Sequence, residues 1–317
     1  GQTALLIPEL EAGKTAGLED HIGVFPYGEN QSTWADVFGK AGSALGLARP
    51  LIGVEPTRFR FLEQDILQTA LPGARFVSAD ALLSGVRMCK DAGEVAWMRE
   101  AVRIAQDAFL KTLPAFQLGV TEREIASELS LQLLRAGSSA DFPFNPIIAG
   151  GPNSANPHAA PGDRKFQSGD LVVVDWGANY QGYISDLTRM VAFAPLDPEL
   201  ERIYQVTLAA NRAGCAAAAP GVTGGAVDAA ARAVIEQAGY GAYFIHRTGH
   251  GIGMESHEPP YMVANNPLAL EPGMAFTVEP GIYLPGRGGV RIEDNLVVSA
   301  DGADVLTDLS RELFLAG

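Results

Sequence analysis

The sequence repeats itself, and the repeat limits the fold more than any other feature. "GVTEREIASELSLQLLRAG" (119–137) has a counterpart in "GVTGGAVDAAARAVIEQAG" (221–239), displaced by 102 positions. Each copy reads as a Gly-Val-Thr lead into a helix that ends at Ala-Gly. Thr121 with Glu124 forms a capping box, and Gly137 and Gly239 suit helix C-terminal positions. Further on, "SGDLVVVDWG" (168–177) matches "EPGMAFTVEPG" (271–281), with Asp175 opposite Glu279 at an offset of 104. A long helix precedes each Gly-Val-Thr signal: roughly 93–113, with Val95, Met98, Val102, Ala105 and Phe109 on one face, and then "PELERIYQVTLAANRAGCAAA". The chain therefore predicts two αβ halves, about 92–196 and 197–300, each running helix, helix, strands. Packed about a pseudo-twofold, they would set the two acid-bearing strands side by side in one sheet.

Before the repeat, "TALLIPEL" and "RPLIGVEP" read as strands, "WADVFGKAGSALGL" as a helix and "ARFVSADALLSGVR" as strand then helix. A small α/β domain over 1–88 is expected, joined through "CKDAGEV" to a larger domain over 89–317. The chain begins with Gly1 almost directly in a strand-like run, which reads as a missing or trimmed N-terminus. A net charge of −14 argues against a phosphate-backbone partner, so nucleic acid is excluded. No run has the length of a membrane span. The two cysteines, Cys89 and Cys215, have neither metal spacing nor a disulfide framework; they are expected as buried thiols in a reducing cytoplasm.

Four acids need a reason. Asp175 follows four apolar residues of a strand, where a carboxylate is costly unless paired or bound to a metal. Asp186 lies eleven residues later, within reach of the same sheet end through a hairpin at "GANYQG". Glu279 ends "AFTVEPG", and Glu293 follows fourteen residues on in "GVRIEDNLVV". Four carboxylates together would repel one another and take up protons, whereas two divalent cations balance their charge. His250 would complete a mixed nitrogen and oxygen donor set suited to Mn²⁺, Co²⁺, Zn²⁺ or Fe²⁺. Of five histidines in the chain, three fall in "HRTGHGIGMESHEPP" (246–260). His246 and His250 have helical metal-pair spacing, but Gly249, Gly251 and Gly253 favour an extended segment passing close to a substrate.

"NSANPHA", "VVVDWGANYQGYISDLTR", "HRTGHGIGMESHEPP", "TVEPGIY" and "GVRIEDNLVV" together resemble the Xaa-Pro peptidases of the pita-bread metallopeptidase family M24. That group contains prolidase (Xaa-Pro dipeptidase) and aminopeptidase P. The resemblance covers roughly residues 90–310 and implies an α/β (α+β) fold: a small N-terminal α/β domain and a pita-bread domain of two pseudo-twofold halves. Methionine aminopeptidases share the five ligands, but an N-terminal domain of this size and "NSANPHA" favour the proline-directed branch. The N-terminal domain here is shorter than the resemblance implies.

The resemblance makes Asp175, Asp186, His250, Glu279 and Glu293 the ligands of two divalent metal ions, manganese first with cobalt or zinc as alternatives. Asp186 and Glu293 would bridge the ions, Asp175 would complete one shell, and His250 with Glu279 the other. His158 and His257 match substrate-facing histidines, while His246 and Arg291 match positions lining the site. The implied reaction is hydrolysis of the bond before proline, with Glu279 taking the proton of the attacking water and His257 steadying the oxyanion. His158 would position the substrate or the departing amine. For a dipeptide substrate, Arg291 or His246 would receive the carboxylate. The expected activity is that of an Xaa-Pro dipeptidase in a cytoplasmic homodimer. The alternatives are an aminopeptidase P acting on longer peptides and a metal-free pita-bread binding protein.

Overall fold

In a computed structural model of the protein, residues 2–18 and 21–316 are described. The chain divides into two compact units, Gly1–Val86 and Arg87–Gly317, a boundary two residues ahead of the one expected. The first unit contains β1 (Ala4–Pro8), β2 (Gly23–Tyr27), α1 (Trp34–Ala44), β3 (Leu51–Val54), α2 (Phe61–Ala70), β4 (Arg75–Ser78) and most of α3 (Asp80–Arg87). Its strands pair in parallel, β1 with β2 and β3 with β4, the second pair joined by the crossover helix α2. The strands and helices read from the sequence are all present. β2 escaped the reading because "GVFPY" is short and carries a proline, and α2 because "FLEQDILQTA" is weakly amphipathic.

In the second unit each half opens with a helix pair. α4 (Ala92–Thr112) and α5 (Glu122–Ala136) answer to α6 (Pro198–Ala217) and α7 (Gly224–Gln237). The Gly-Val-Thr signals do the same work twice. The Thr121 hydroxyl accepts from Glu124 N and the Thr223 hydroxyl from Ala226 N, each satisfying an orphan amide of the first turn. Both threonines also form isolated bridges, Thr121 with Lys165 and Thr223 with Ala269. Gly137 at φ 108° and Gly239 at φ 88° end the two helices in the left-handed region.

The first half adds β5 (Ile147–Gly150), β6 (Leu171–Trp176), the small hairpin β7 (Asn179–Tyr180) and β8 (Tyr183–Ile184), and β9 (Leu187–Ala192). The second adds β10 (Gly249–Gly251), β11 (Glu258–Met262), β12 (Ala275–Val278), β13 (Gly281–Leu284), β14 (Gly288–Arg291), β15 (Asp294–Val298) and β16 (Ala303–Val305), before a terminal β17 (Phe314–Leu315). One sheet runs β17-β9-β6-β5 and another β11-β10-β12-β15-β16. β6 lies between two antiparallel neighbours in the first, as β12 does in the second.

The expectation of one continuous sheet is not met. β6 and β12 belong to different sheets, which are linked by the bridge between Thr188 and Glu293. Pro280 supplies a reason: it has no N–H to extend the ladder, so β12 stops at Val278 and β13 starts a separate hairpin with β14. The carboxylates gather at this break.

Helix pairs and sheets close on apolar cores. In the first half Phe109 is fully buried, stacked on Trp176 with centroids 4.6 Å apart and edge-on to Phe314 at 5.1 Å. Met98, Val102 and Ala105 share its buried face, as the helical period predicts. Phe109→Ala should cost about 3–5 kcal/mol of stability in urea unfolding, through lost transfer energy and the cavity left behind. A cost below about 1 kcal/mol would mean that this core is not packed as described. Cys89, expected to be buried, is exposed.

Candidate metal centre

All nine residues singled out from the sequence line one cavity of about 790 Å³ in the second unit. Asp175 sits near the end of β6, opposite Thr188 on β9. Asp186 lies between β8 and β9. Its backbone is clamped by Asn295 of β15: the Asn295 Oδ1 accepts from Asp186 N at 3.1 Å, and its Nδ2 donates to the Asp186 carbonyl. A residue of the second half thus fixes an acid of the first. Glu279 follows β12, and Glu293 lies between β14 and β15. His250 is carried on β10, which is extended as its glycines suggest. A Cβ on Gly249 would lie 1.8 Å from the Thr277 carbonyl oxygen, so only glycine lets β10 approach β12 this closely.

The polar atoms converge with few donors to separate them. Ligand atoms of Asp186, His250 and Glu293 lie within 4.8 Å of one another. His250 Nδ1 is 3.1 Å from the Gly251 carbonyl and so carries the proton, which leaves Nε2 as an acceptor. That lone pair faces the Glu279 Oε1 at 3.3 Å and the Asp186 Oδ2 at 3.7 Å. The Asp175 Oδ1 is buried with no hydrogen-bond partner. Burial followed by mutual repulsion raises the carboxyls of Asp186 and Glu293 well above the usual range. Burial also lifts Glu279 to about 7, against the pull of Arg291, and drives His250 down to about 3. Acceptors aimed at acceptors, in a buried pocket, fit a site built for cations. Asp175 and Glu279 line the same cavity as Asp186, His250 and Glu293.

The basic residues bordering the acids differ in availability. Arg291 is buried and spoken for. Its Nη2 donates to the Asp175 Oδ2 at 2.5 Å, its Nη1 to Tyr283 Oη at 2.8 Å and to the Pro157 carbonyl at 3.2 Å, and its Nε to Thr188 Oγ1 at 3.1 Å. His246 is not a cation: burial lowers it to about 4. Its Nδ1 donates to the Arg247 carbonyl at 2.7 Å, and its Nε2 accepts from Tyr283 at 2.9 Å. Arg291 and His246, the residues expected to meet a substrate carboxylate, thus already have partners within the protein. Arg291 is bonded to Asp175 and Tyr283, and His246 to the Arg247 carbonyl and Tyr283. Arg247, by contrast, lines the cavity with its guanidinium over the Tyr261 ring.

His158 follows the short 3-10 turn Gly151–Ala155 and is exposed to the cavity. His257 is exposed too, its ring centroid 4.1 Å from that of His250. Pro143, Phe144, Ile147 and Ile245 form an apolar wall.

Three functional neighbours escaped the sequence reading. Thr188 donates its hydroxyl to the Glu293 Oε2 at 2.7 Å. It stands two residues after Asp186, on the same strand face, so period-two reasoning could have found it. Tyr283, the shared partner of His246 and Arg291, lies across a hairpin whose register no local signal announces. Asp294, fully buried, accepts from Arg189, Arg311 and Asn211. Arg189 in turn donates to the Glu293 carbonyl at 2.6 Å, which fixes that acid from behind.

The family model for metallopeptidase family M24 matches residues 96–300. A putative dipeptidase of Bacillus subtilis is 35% identical over 308 residues, 97% of this chain and 84% of its own. An Xaa-Pro dipeptidase of Lactobacillus delbrueckii subsp. lactis is 42% identical over 231 residues, 73% of this chain and 63% of its own. Among solved structures, an X-Pro aminopeptidase of Thermotoga maritima superposes with a TM-score of 0.88 at 33% identity, covering 100% of this chain and 88% of the other.

Proposed function

The chain belongs to metallopeptidase family M24, and from that membership and the chemistry of the cavity we propose that it is a metal-dependent Xaa-Pro dipeptidase. The convergence of acceptor atoms from Asp186, His250, Glu279 and Glu293, beside the unpartnered Asp175 Oδ1, carries the reading. These five residues would hold two divalent ions, Mn²⁺ in first place, with Co²⁺ and Zn²⁺ accepting the same donors. When bound, the ions supply Lewis-acid polarisation of the scissile carbonyl and lower the pKa of water.

The remaining work falls to the chain. Glu279, which lines the cavity and faces His250, would accept the proton of the attacking water. His257 faces the open cavity beside His250 and donates to the oxyanion. The departing proline nitrogen must be protonated to leave; Glu279 would return to it the proton taken from water, and His158, which also lines the cavity, would position that nitrogen. Arg291 holds Asp175 in place, and Thr188 holds Glu293.

The similarity to an X-Pro aminopeptidase favours a second reading, cleavage of longer Xaa-Pro peptides. Comparing kcat/KM for Ala-Pro and Ala-Pro-Ala tests both. The dipeptide is expected to be cleaved faster; equal or faster cleavage of the tripeptide supports the second reading instead.

Metal removal should also change the pH dependence of stability. Asp186, Glu279 and Glu293 have folded pKa values above their unfolded ones, so folding takes up protons. Their stabilisation is complete below the unfolded value of about 4.3 and fades as pH rises through the folded values. His246 and His250, whose folded values lie below the unfolded 6.5, contribute with the opposite sign up to that pH, so the chelated protein should lose thermal stability as pH rises above about 6.5, and added Mn²⁺ should restore it. A chelated protein that gains stability over that range would contradict the arrangement.

A further inference from the structure

We propose that Arg247 receives the free C-terminal carboxylate of the substrate, and so makes this site select dipeptides over peptides extended beyond proline. The inference rests on the dipeptidase reading above and adds the residue that would enforce it.

The argument begins with repulsion. One end of the cavity gathers Asp175, Asp186, Glu279 and Glu293, which attract a peptide's amino group and repel its carboxylate. A bound dipeptide must therefore direct its carboxylate toward a cation elsewhere on the wall. Two permanent cations line the cavity, Arg291 and Arg247. Arg291 is buried among the acids and already donates to Asp175, Thr188, Tyr283 and Pro157. Arg247 has no carboxylate partner among the described residues. Its guanidinium lies 5.0 Å from the centre of the Tyr261 ring.

That ring fixes where the charge sits. Tyr261 of β11 is directly opposite His250 of β10, and cross-strand partners project from the same face of a sheet. Tyr261 therefore carries the guanidinium on the face that presents His250 to the site. Arg247 is half-buried and lies two residues from Ile245, which is 66% exposed, so it stands at the mouth rather than the floor. An unpaired guanidinium, stacked on an aromatic face with its N–H edge free, is a preformed fork for a carboxylate. A peptide continuing beyond proline presents a neutral amide there instead and leaves the fork unmatched.

The test compares Ala-Pro with its C-terminal amide, which differ only in that charge. The parent protein should prefer the acid, and Arg247→Met should collapse the kcat/KM preference by roughly 10–100-fold. Arg247→Lys should keep part of it, and Tyr261→Leu, which removes the platform, should lose part of it. An unchanged preference in Arg247→Met overturns the assignment. So does an equal loss on both substrates, which would mark Arg247 as structural. Failure of the metal-loaded parent to cleave either compound removes the dipeptidase reading itself and this assignment with it. Cleavage of both with an unchanged preference in Arg247→Met removes the assignment alone.

Discussion

Glu279→Gln should lower kcat for Ala-Pro by roughly 10²–10⁴-fold, the range for losing a positioned general base. The amide keeps the shape of the side chain but can neither take a proton from water nor offer a charged oxygen to a cation. Glu279 is suited to both tasks. It sits at the end of β12 with Thr277 Oγ1 3.4 Å away and faces the free nitrogen of His250 at 3.3 Å. The stability readout separates this loss from misfolding. Removing one negative charge from a self-repelling cluster should raise, not lower, the thermal midpoint of the chelated protein. Near-parental turnover in Glu279→Gln would remove Glu279 from the chemistry. Lost turnover with a lowered midpoint in the chelated protein would point instead to damage of the fold.

The second large effect is on stability. Arg291→Met should cost the metal-free protein about 3–5 kcal/mol, the range for breaking a buried ion pair by removing one partner. Arg291 is 2% exposed and Asp175 7%, so water cannot replace the guanidinium. The substitution strands Asp175 Oδ2 beside an oxygen that already lacks a partner and takes the donor from Tyr283. Neutralising the stranded acid should recover much of the loss, so Arg291→Met with Asp175→Asn is expected to be more stable than Arg291→Met alone. Urea unfolding of the three variants checks this. A cost below about 1 kcal/mol in the single variant would show that the pair is not a support of the site.

These expectations depend on features of very different visibility in the sequence. The helix pairs were legible because capping is local: Thr121 and Thr223 cap within three residues, and Gly137 and Gly239 end their helices within one turn. The acids were legible because a charged residue among apolar strand residues conflicts with burial, and the conflict occurs in both halves. The commitments among side chains were not. Asn295 clamps Asp186 from 109 residues away, and Arg291 meets Asp175 across 116. Arg291 reads as a free cation in sequence because nothing near it in the chain consumes its charge. The separation into two sheets depends on what Pro280 does to a ladder, and the sequence shows the proline but not the register it interrupts. Cys89 reads as a buried thiol because it has neither metal spacing nor a disulfide framework, yet the segment leading into α4 leaves it at the surface.

Titrating Mn²⁺ into the chelated protein while following Ala-Pro hydrolysis tests the central claim most directly. Turnover should be absent without metal, rise with added Mn²⁺ and saturate near two equivalents per chain. Hydrolysis of Ala-Pro by the chelated protein at the rate of the loaded one would contradict it.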